Sequence, residues 1–157
     1  MIQKKGRNTM SREIIFYAEK NRNPETRIEL YWTGADSAQL LFEALTDLSY
    51  GNNANYIKVD KAEREIKIAI EDKIKEITNK IKEYESLLED RYHALSGVSS
   101  LEVYHEVLGD VNYYKEEIKE LQESIDCYQN IKQTLITIFS LEFLQTSDWE
   151  LYVLYSY

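Results

Sequence analysis

The chain has few of the residues that usually reveal a chemistry. Its 157 residues include one cysteine, one proline, two histidines and five scattered glycines. Scattered glycines do not form a phosphate-binding loop, and the cysteine and histidines lack the spacing of zinc ligands. No serine lies in the sharp turn that presents a hydrolase nucleophile. The sequence therefore predicts a protein that is not an enzyme and that has no cofactor and no metal site.

Long apolar runs and an excess of basic residues are also missing. No apolar stretch reaches the length of a membrane span, and the N-terminus has no apolar signal segment. The formal net charge of −9 disfavours binding to nucleic acid or to anionic membranes, because few cations are available to neutralise phosphates. The single cysteine, Cys127, cannot form an intramolecular disulfide, which fits a reducing compartment. We therefore expect a cytoplasmic protein.

What the chain does have is a heptad pattern over residues 70–144. Apolar residues recur at alternating steps of four and three in two arms, with charged residues between them. The first arm has Ile70, Ile74, Ile77, Ile81, Tyr84 and Leu88. The second has Val111, Tyr114, Ile118, Leu121, Ile125, Tyr128, Leu135 and Phe139. This pattern predicts an antiparallel helical hairpin of the coiled-coil kind over residues 71–146.

The turn between the two arms is predicted at residues 96–99. Gly97 can end the first helix in the left-handed conformation, and Ser99 with Glu102 forms a capping box for the second helix. Gly109 is expected to kink the second arm. If that arm is continuous from Ser99 to residue 146, it is about twice as long as the first. Its inner half must then pack on a sheet or on a second subunit, so we expect a homo-oligomer, most simply a dimer.

The segments around the hairpin predict a small sheet. Residues 12–19 and 27–33 alternate as the two strands of an antiparallel hairpin, and residues 149–157 form an interior strand that is apolar on both faces. The expected apolar faces are Ile14, Phe16 and Ala18 in the first strand and Ile28, Leu30 and Trp32 in the second. A helix capped by Asp36 and stopped at Gly51 lies between them and the hairpin.

Residues 56–70 fit two structures. They alternate like a β-hairpin that turns at residues 60–64, yet Asp60 and Glu63 also form a capping box for a helix starting at Lys61. Ile68 favours the β-hairpin, because it points away from any single helical face. The fold class we predict is α+β, with a small antiparallel sheet, one packed helix and a long antiparallel helical hairpin. Residues 11–157 form one domain, residues 1–10 are a disordered leader, and Met10 is the hypothesised native start.

The candidate binding residues lie at the tip of the helical hairpin. They are Arg91, Tyr92, His93, Tyr104 and His105. The chain has thirteen tyrosines, and tyrosine is favoured in protein interfaces, although amphipathic packing explains many of them. The two histidines are interpreted as exposed residues of the tip; a metal site between them is the alternative.

These observations predict a non-enzymatic interaction protein. A composition rich in residues with AT-rich codons is typical of a bacterial or phage gene. An acidic protein of this kind fits an inhibitor that binds and blocks a host or cognate protein, such as a counter-defence or toxin-neutralising partner. One alternative is an oligomer that sequesters nucleotides, with Arg12, Arg27 and Arg91 in its pockets. Another is a structural or assembly component.

Overall fold

The computed structural model describes residues 13–45 and 57–156, and it confirms the α+β class with a helical hairpin. The elements in chain order are β1 (Glu13–Lys20), β2 (Asn23–Gly34), α1 (Ala35–Leu45), β3 (Ile57–Lys58), α2 (Val59–Ser96), α3 (Leu101–Phe139), a 3-10 helix (Glu142–Gln145) and β4 (Trp149–Ser156). The leader predicted for residues 1–10, the proposed start at Met10 and the stop at Gly51 lie outside the described residues. None of the helices in the described residues combines the length and apolar composition that a membrane crossing needs.

The four strands form an antiparallel sheet in the order β2-β1-β4-β3. Strand β4 pairs with both β1 and the two-residue β3, so it is an interior strand, as its two apolar faces predicted. Strands β1 and β2 are joined at Asn21 and Arg22, whose φ angles are 51° and 58°. Two successive positive φ angles match the twist of a tight antiparallel hairpin.

The predicted apolar face of β1 is confirmed, whereas that of β2 is wrong. Ile14, Phe16 and Ala18 are buried, but Trp32 is 47% exposed and Thr33 is buried in its place. The register explains the difference, because Phe16 pairs with Tyr31 while Tyr17 pairs with Glu29. The residue between them, Leu30, is an extra residue in β2. The alternation of side chains between the two faces of β2 therefore shifts by one residue at Leu30.

Two compact units make up the chain. Of the described residues, we call 13–45, 57–72 and 128–156 the sheet unit and Lys73–Cys127 the hairpin unit. In the sheet unit, Phe16 of β1 lies edge-on to Phe139 of α3, with ring centroids 6.0 Å apart. The Tyr128 hydroxyl donates a hydrogen bond to the Leu40 carbonyl oxygen at 2.6 Å, which ties α3 to α1. Helix α1 already starts at Ala35, so Asp36 lies in its first turn and is not the cap that we expected.

Residues 59–70 are helical, so the β-hairpin predicted over residues 56–70 is wrong. Only Ile57 and Lys58 are extended, and α2 begins at Val59. Ala62, Ile66 and Ile70 are buried at four-residue steps, which is the period of a helix packed on one side. Ile68, the residue that argued for the hairpin, is 51% exposed on the other side of that helix. An exposed isoleucine is common on protein surfaces and does not decide between helix and strand.

The turn between the long helices differs in detail from the prediction. Ser100, one residue after the expected cap, accepts a hydrogen bond on its hydroxyl from the Val103 N–H at 3.2 Å. Gly97 does not take the left-handed conformation. Helix α2 ends with a hydrogen bond of the 3-10 type, which the Gly97 N–H donates to the Ala94 carbonyl oxygen at 3.2 Å. Such tightening is a common way to satisfy the last carbonyls of a helix.

The length mismatch that led us to expect a dimer does not exist. Helix α2 has 38 residues because it starts at Val59, and α3 has 39 because it ends at Phe139. The backbone becomes extended at Leu141, after which the 3-10 helix begins. Leu141 and Phe143 are exposed, so the apolar residues that follow α3 are not all buried. A dimer therefore stays a prediction, without the support of unequal arms.

The hairpin unit is held together by the predicted apolar stripe. Ile77 and Ile81 of α2 are buried, as are Val111 and Ile125 of α3, and Val107, one turn before the predicted start of the stripe, is buried as well. The rings of Tyr84 and Tyr114, one from each helix, lie 5.8 Å apart. The heptad pattern thus identifies the side chains that join the two helices.

We predict that Gly109→Ala stabilises the protein by up to about 1 kcal/mol, because alanine has the higher helix propensity. Helix α3 runs unbroken through Gly109, and a Cβ placed there would meet nothing within 4 Å. The measurement is the free energy of unfolding from chemical denaturation. Ala94→Gly in α2 is the reverse control and should lower it by a similar amount. A destabilised Gly109→Ala variant would show that this glycine is required, for example to bend the helix.

Candidate functional site

The five tip residues lie in the last turns of α2 and the first turns of α3. The Arg91 guanidinium lies 3.7 Å from the Asp110 carboxylate, an ion pair that joins the two helices. Tyr92 is exposed, and the Lys115 ammonium lies over its ring at 5.9 Å from the centroid. These two contacts fix the directions of Arg91 and Tyr92 while leaving much of each side chain accessible.

Each of the two histidines contacts a neighbour on its own helix. His93 Nε2 lies 4.0 Å from the Glu89 carboxylate on its own helix, and both side chains are exposed. His105 lies edge-on to the neighbouring Tyr104 ring, with centroids 5.8 Å apart. Among the residues that the structure describes, no group of three or more His, Cys, Asp or Glu side chains is placed to hold a metal ion.

The hairpin unit exposes apolar side chains beyond the residues that the sequence singled out. We call the exposed set the hairpin surface: Leu87, Tyr92, Leu101, Val103, Tyr104 and Tyr113. Leu101, the first residue of α3, is 72% exposed. Sequence reasoning missed Leu87, Leu101 and Val103, because aliphatic residues near a heptad stripe are naturally assigned to its core. Counting strictly by sevens would have excluded Leu87, which precedes the stripe residue Leu88.

Acidic side chains surround these apolar residues. From Glu83 to Tyr113 the chain has seven acidic residues and one arginine. Within the part of the chain that the structure describes, none of the following five has a cation within 4.0 Å: Glu83, Glu85, Asp90, Glu102 and Glu106. The sheet unit differs, because Lys61 and Lys132 lie within ion-pair distance of Glu65 and Glu71 respectively. The tip of the hairpin unit is therefore a region of uncompensated negative charge.

A second polar cluster lies on the sheet and was not predicted. The Glu19 carboxylate is fully buried, and Arg27 donates to Glu19 Oε1 from Nε at 2.7 Å and from Nη2 at 2.5 Å. The Tyr17 and Tyr152 rings stack with centroids 4.5 Å apart, and the Arg27 guanidinium lies 4.4 Å from the Tyr17 centroid. The Glu19 carboxylate also raises the pKa of Arg27 above its ordinary value.

This cluster neutralises its own charge. A buried carboxylate needs a cation and hydrogen bonds, and Arg27 supplies both. The arginines proposed to bind nucleotides are therefore engaged: Arg27 contacts Glu19 and Arg91 contacts Asp110, while Arg12 lies outside the described residues. The alternating pattern of β1 placed Glu19 on its mixed face, but no signal in the sequence indicated that it would be buried.

Comparison of the chain with protein-family models, with curated proteins and with solved structures found no match.

The hairpin surface should contribute little to stability. We predict that Tyr92→Ser and Tyr104→Ser each change the free energy of unfolding by less than about 0.5 kcal/mol, because both side chains are exposed. Ile81→Ala, in the buried stripe of the same unit, should cost about 2 to 5 kcal/mol. Chemical denaturation measures all three. A loss from the two serine variants as large as that from Ile81→Ala would show that the tyrosines belong to the core.

The tyrosine cluster on the sheet should make the fold sensitive to alkali. Burial, followed by the hydrogen bond and charge of Tyr152, raises the pKa of Tyr17 from 10.0 to about 12. The folded protein therefore holds this proton more tightly than the unfolded chain does. The resulting stability is complete below pH 10 and is lost as the pH rises to about 12. Tyr17→Phe should remove this dependence in denaturation curves across that range, and an unchanged slope would contradict the assignment.

Proposed function

We propose that this chain is a non-enzymatic interaction protein that binds another protein through the hairpin surface and blocks it. The observation that carries the proposal is the exposure of six large apolar side chains in the hairpin unit, within residues 87–113. Exposed apolar side chains rimmed by polar residues commonly mark a protein interaction site. Tyrosine is enriched among the residues that dominate binding energy, and three of the six are tyrosines.

The charge of the same region supports a protein partner. Uncompensated carboxylates such as Glu83, Asp90 and Glu106 surround the apolar side chains. Charges at the rim of an interface accelerate the encounter with an oppositely charged partner and repel wrong ones. Apolar side chains supply affinity, while the carboxylates supply rate and selectivity.

The mode of action that we propose is steric. Two packed helices that present a row of exposed side chains can fill a groove on the partner and keep out its normal ligand. The composition of the chain supports a bacterial or phage origin. An inhibitor of a host or cognate protein, of the counter-defence or toxin-neutralising type, fits both properties.

The test is capture of a stoichiometric partner from cells of the native source, using the full chain with an affinity tag. We expect one protein to co-purify and to lose its activity in the complex. The double variant Leu101→Ser/Tyr104→Ser should release it, because both side chains belong to the hairpin surface. Ile68→Ser is the matched control, since Ile68 is equally apolar and is exposed on the sheet unit.

Two results would contradict the proposal. One is the absence of any stoichiometric protein partner under conditions in which the chain is folded. The other is a partner that the Leu101→Ser/Tyr104→Ser variant retains in full and that Ile68→Ser loses.

A further inference from the structure

The tip half of the hairpin unit has two unlike sides. On α2, Glu83, Leu87 and Asp90 follow one another at steps of four and three. Residues at this spacing lie along the same side of a helix. On α3 the spacing of four, three and four connects Glu106, Asp110, Tyr113 and Glu117. We call these seven residues the Leu87–Tyr113 face.

Contacts between the helices bring the two rows to one side of the hairpin. Tyr84, one turn before Leu87 on α2, has its ring 5.8 Å from that of Tyr114, which lies 5.5 Å from the neighbouring Tyr113 ring on α3. Arg91, one turn after Leu87, forms the ion pair with Asp110, which lies one turn before Tyr113. Leu87 is thus flanked on α2 by two residues that contact α3 at or beside the Tyr113 row.

The face has an apolar centre and an acidic rim. Leu87 is 43% exposed and Tyr113 is 55% exposed. Five carboxylates belong to the face: Glu83, Asp90, Glu106, Asp110 and Glu117. Of these, Asp110 contacts Arg91, and the negative charge of Glu117 raises the pKa of Tyr113. The rim is therefore negative: Arg91 offsets Asp110, and the row on α2 ends at Lys80, one turn before Glu83.

The opposite side carries mixed charge. There Tyr92 lies beneath the Lys115 ammonium. Helical spacing places Glu85 and Glu89 on the Tyr92 side of α2, together with Lys82. Cations and carboxylates alternate on this side, so it lacks the single sign of the Leu87–Tyr113 face.

We propose that the Leu87–Tyr113 face is the docking surface for a basic protein segment, one with a bulky apolar anchor flanked by lysine or arginine. The proposal rests on the proposed function and specifies which side of the hairpin is used and what it recognises. The anchor covers Leu87 and Tyr113, while its basic neighbours pair with carboxylates that have no cation of their own. A neutral or acidic segment would leave those charges desolvated and unpaired, which is costly.

The test uses a display library of random peptides selected on the immobilised full chain, so it requires no natural partner. We expect the enriched peptides to have an excess of lysine and arginine around an aliphatic or aromatic residue. The dissociation constant of a consensus peptide is then measured by fluorescence anisotropy. Glu83→Lys/Asp90→Lys should raise it by at least about tenfold.

The matched control reverses the same number of charges on the other side of the same helix. Glu85→Lys/Glu89→Lys should change the dissociation constant by less than about twofold, although its net charge equals that of the first variant. Tyr113→Ser tests the apolar centre and should weaken binding, whereas Ile68→Ser, which removes an exposed apolar side chain from the sheet unit, should not. Circular dichroism confirms that each variant keeps its helical content.

Three outcomes would overturn the proposal: no enriched peptide, enriched peptides without basic excess, or equal losses from the two charge-reversal variants. Equal losses of affinity would mean that the peptide responds to the net charge of the protein and not to one side of the hairpin. These results are distinguishable from failure of the proposed function. A natural partner captured through Leu101 and Tyr104 while the peptide selection fails would place recognition elsewhere on the hairpin.

Discussion

The packing of α2 against α3 along one apolar stripe is the interaction on which the rest of the structure depends. Most of the stability of a helix in a protein comes from packing of its apolar face. Burying side chains such as Ile77, Ile81, Val111 and Ile125 contributes about 1.5 to 3 kcal/mol each. The same helices continue into the sheet unit, where Phe139 contacts Phe16 and Tyr128 binds the Leu40 carbonyl. The stripe therefore holds the hairpin unit together, while Phe139 and Tyr128 hold α3 within the sheet unit.

Because the two helices of the hairpin pack along one stripe, most of the surface of each helix stays exposed to solvent. In the sheet unit the outer surfaces carry compensating charges, as Lys132 with Glu71 illustrates. At the tip of the hairpin unit the carboxylates from Glu83 onward are largely uncompensated, and apolar side chains lie among them. Folding does not require that arrangement, because exposed charges and exposed leucines contribute little to stability. A surface that the fold does not explain is the natural place to look for function.

The sequence predicted those features that repeat. Seven-residue spacing identified the hairpin and most of its buried stripe, and alternation identified three strands. Features that depend on a single residue were not predicted. The extra residue Leu30 changes which side of β2 is buried, and Ser100 caps α3 in place of Ser99. The start of α2 was missed because Ile68 broke a pattern that exposed isoleucines need not obey. The buried Glu19–Arg27 pair depends on two strands meeting, which no local pattern shows. The tip was predicted as a contact region. The difference in charge between its two sides was not predicted, because contacts between α2 and α3 determine which residues share a side.

Covalent footprinting of tyrosines and carboxylates, in the free chain and in its complex with a captured partner, identifies the side chains that the partner covers. In the free chain, Tyr92, Tyr104 and Tyr113 should be modified rapidly, whereas the buried Tyr128 should be protected. In the complex, the account predicts that protection appears at Tyr113 and at Glu83, Asp90 and Glu106. Protection confined to the sheet unit, with the hairpin tip as reactive as before, would contradict it.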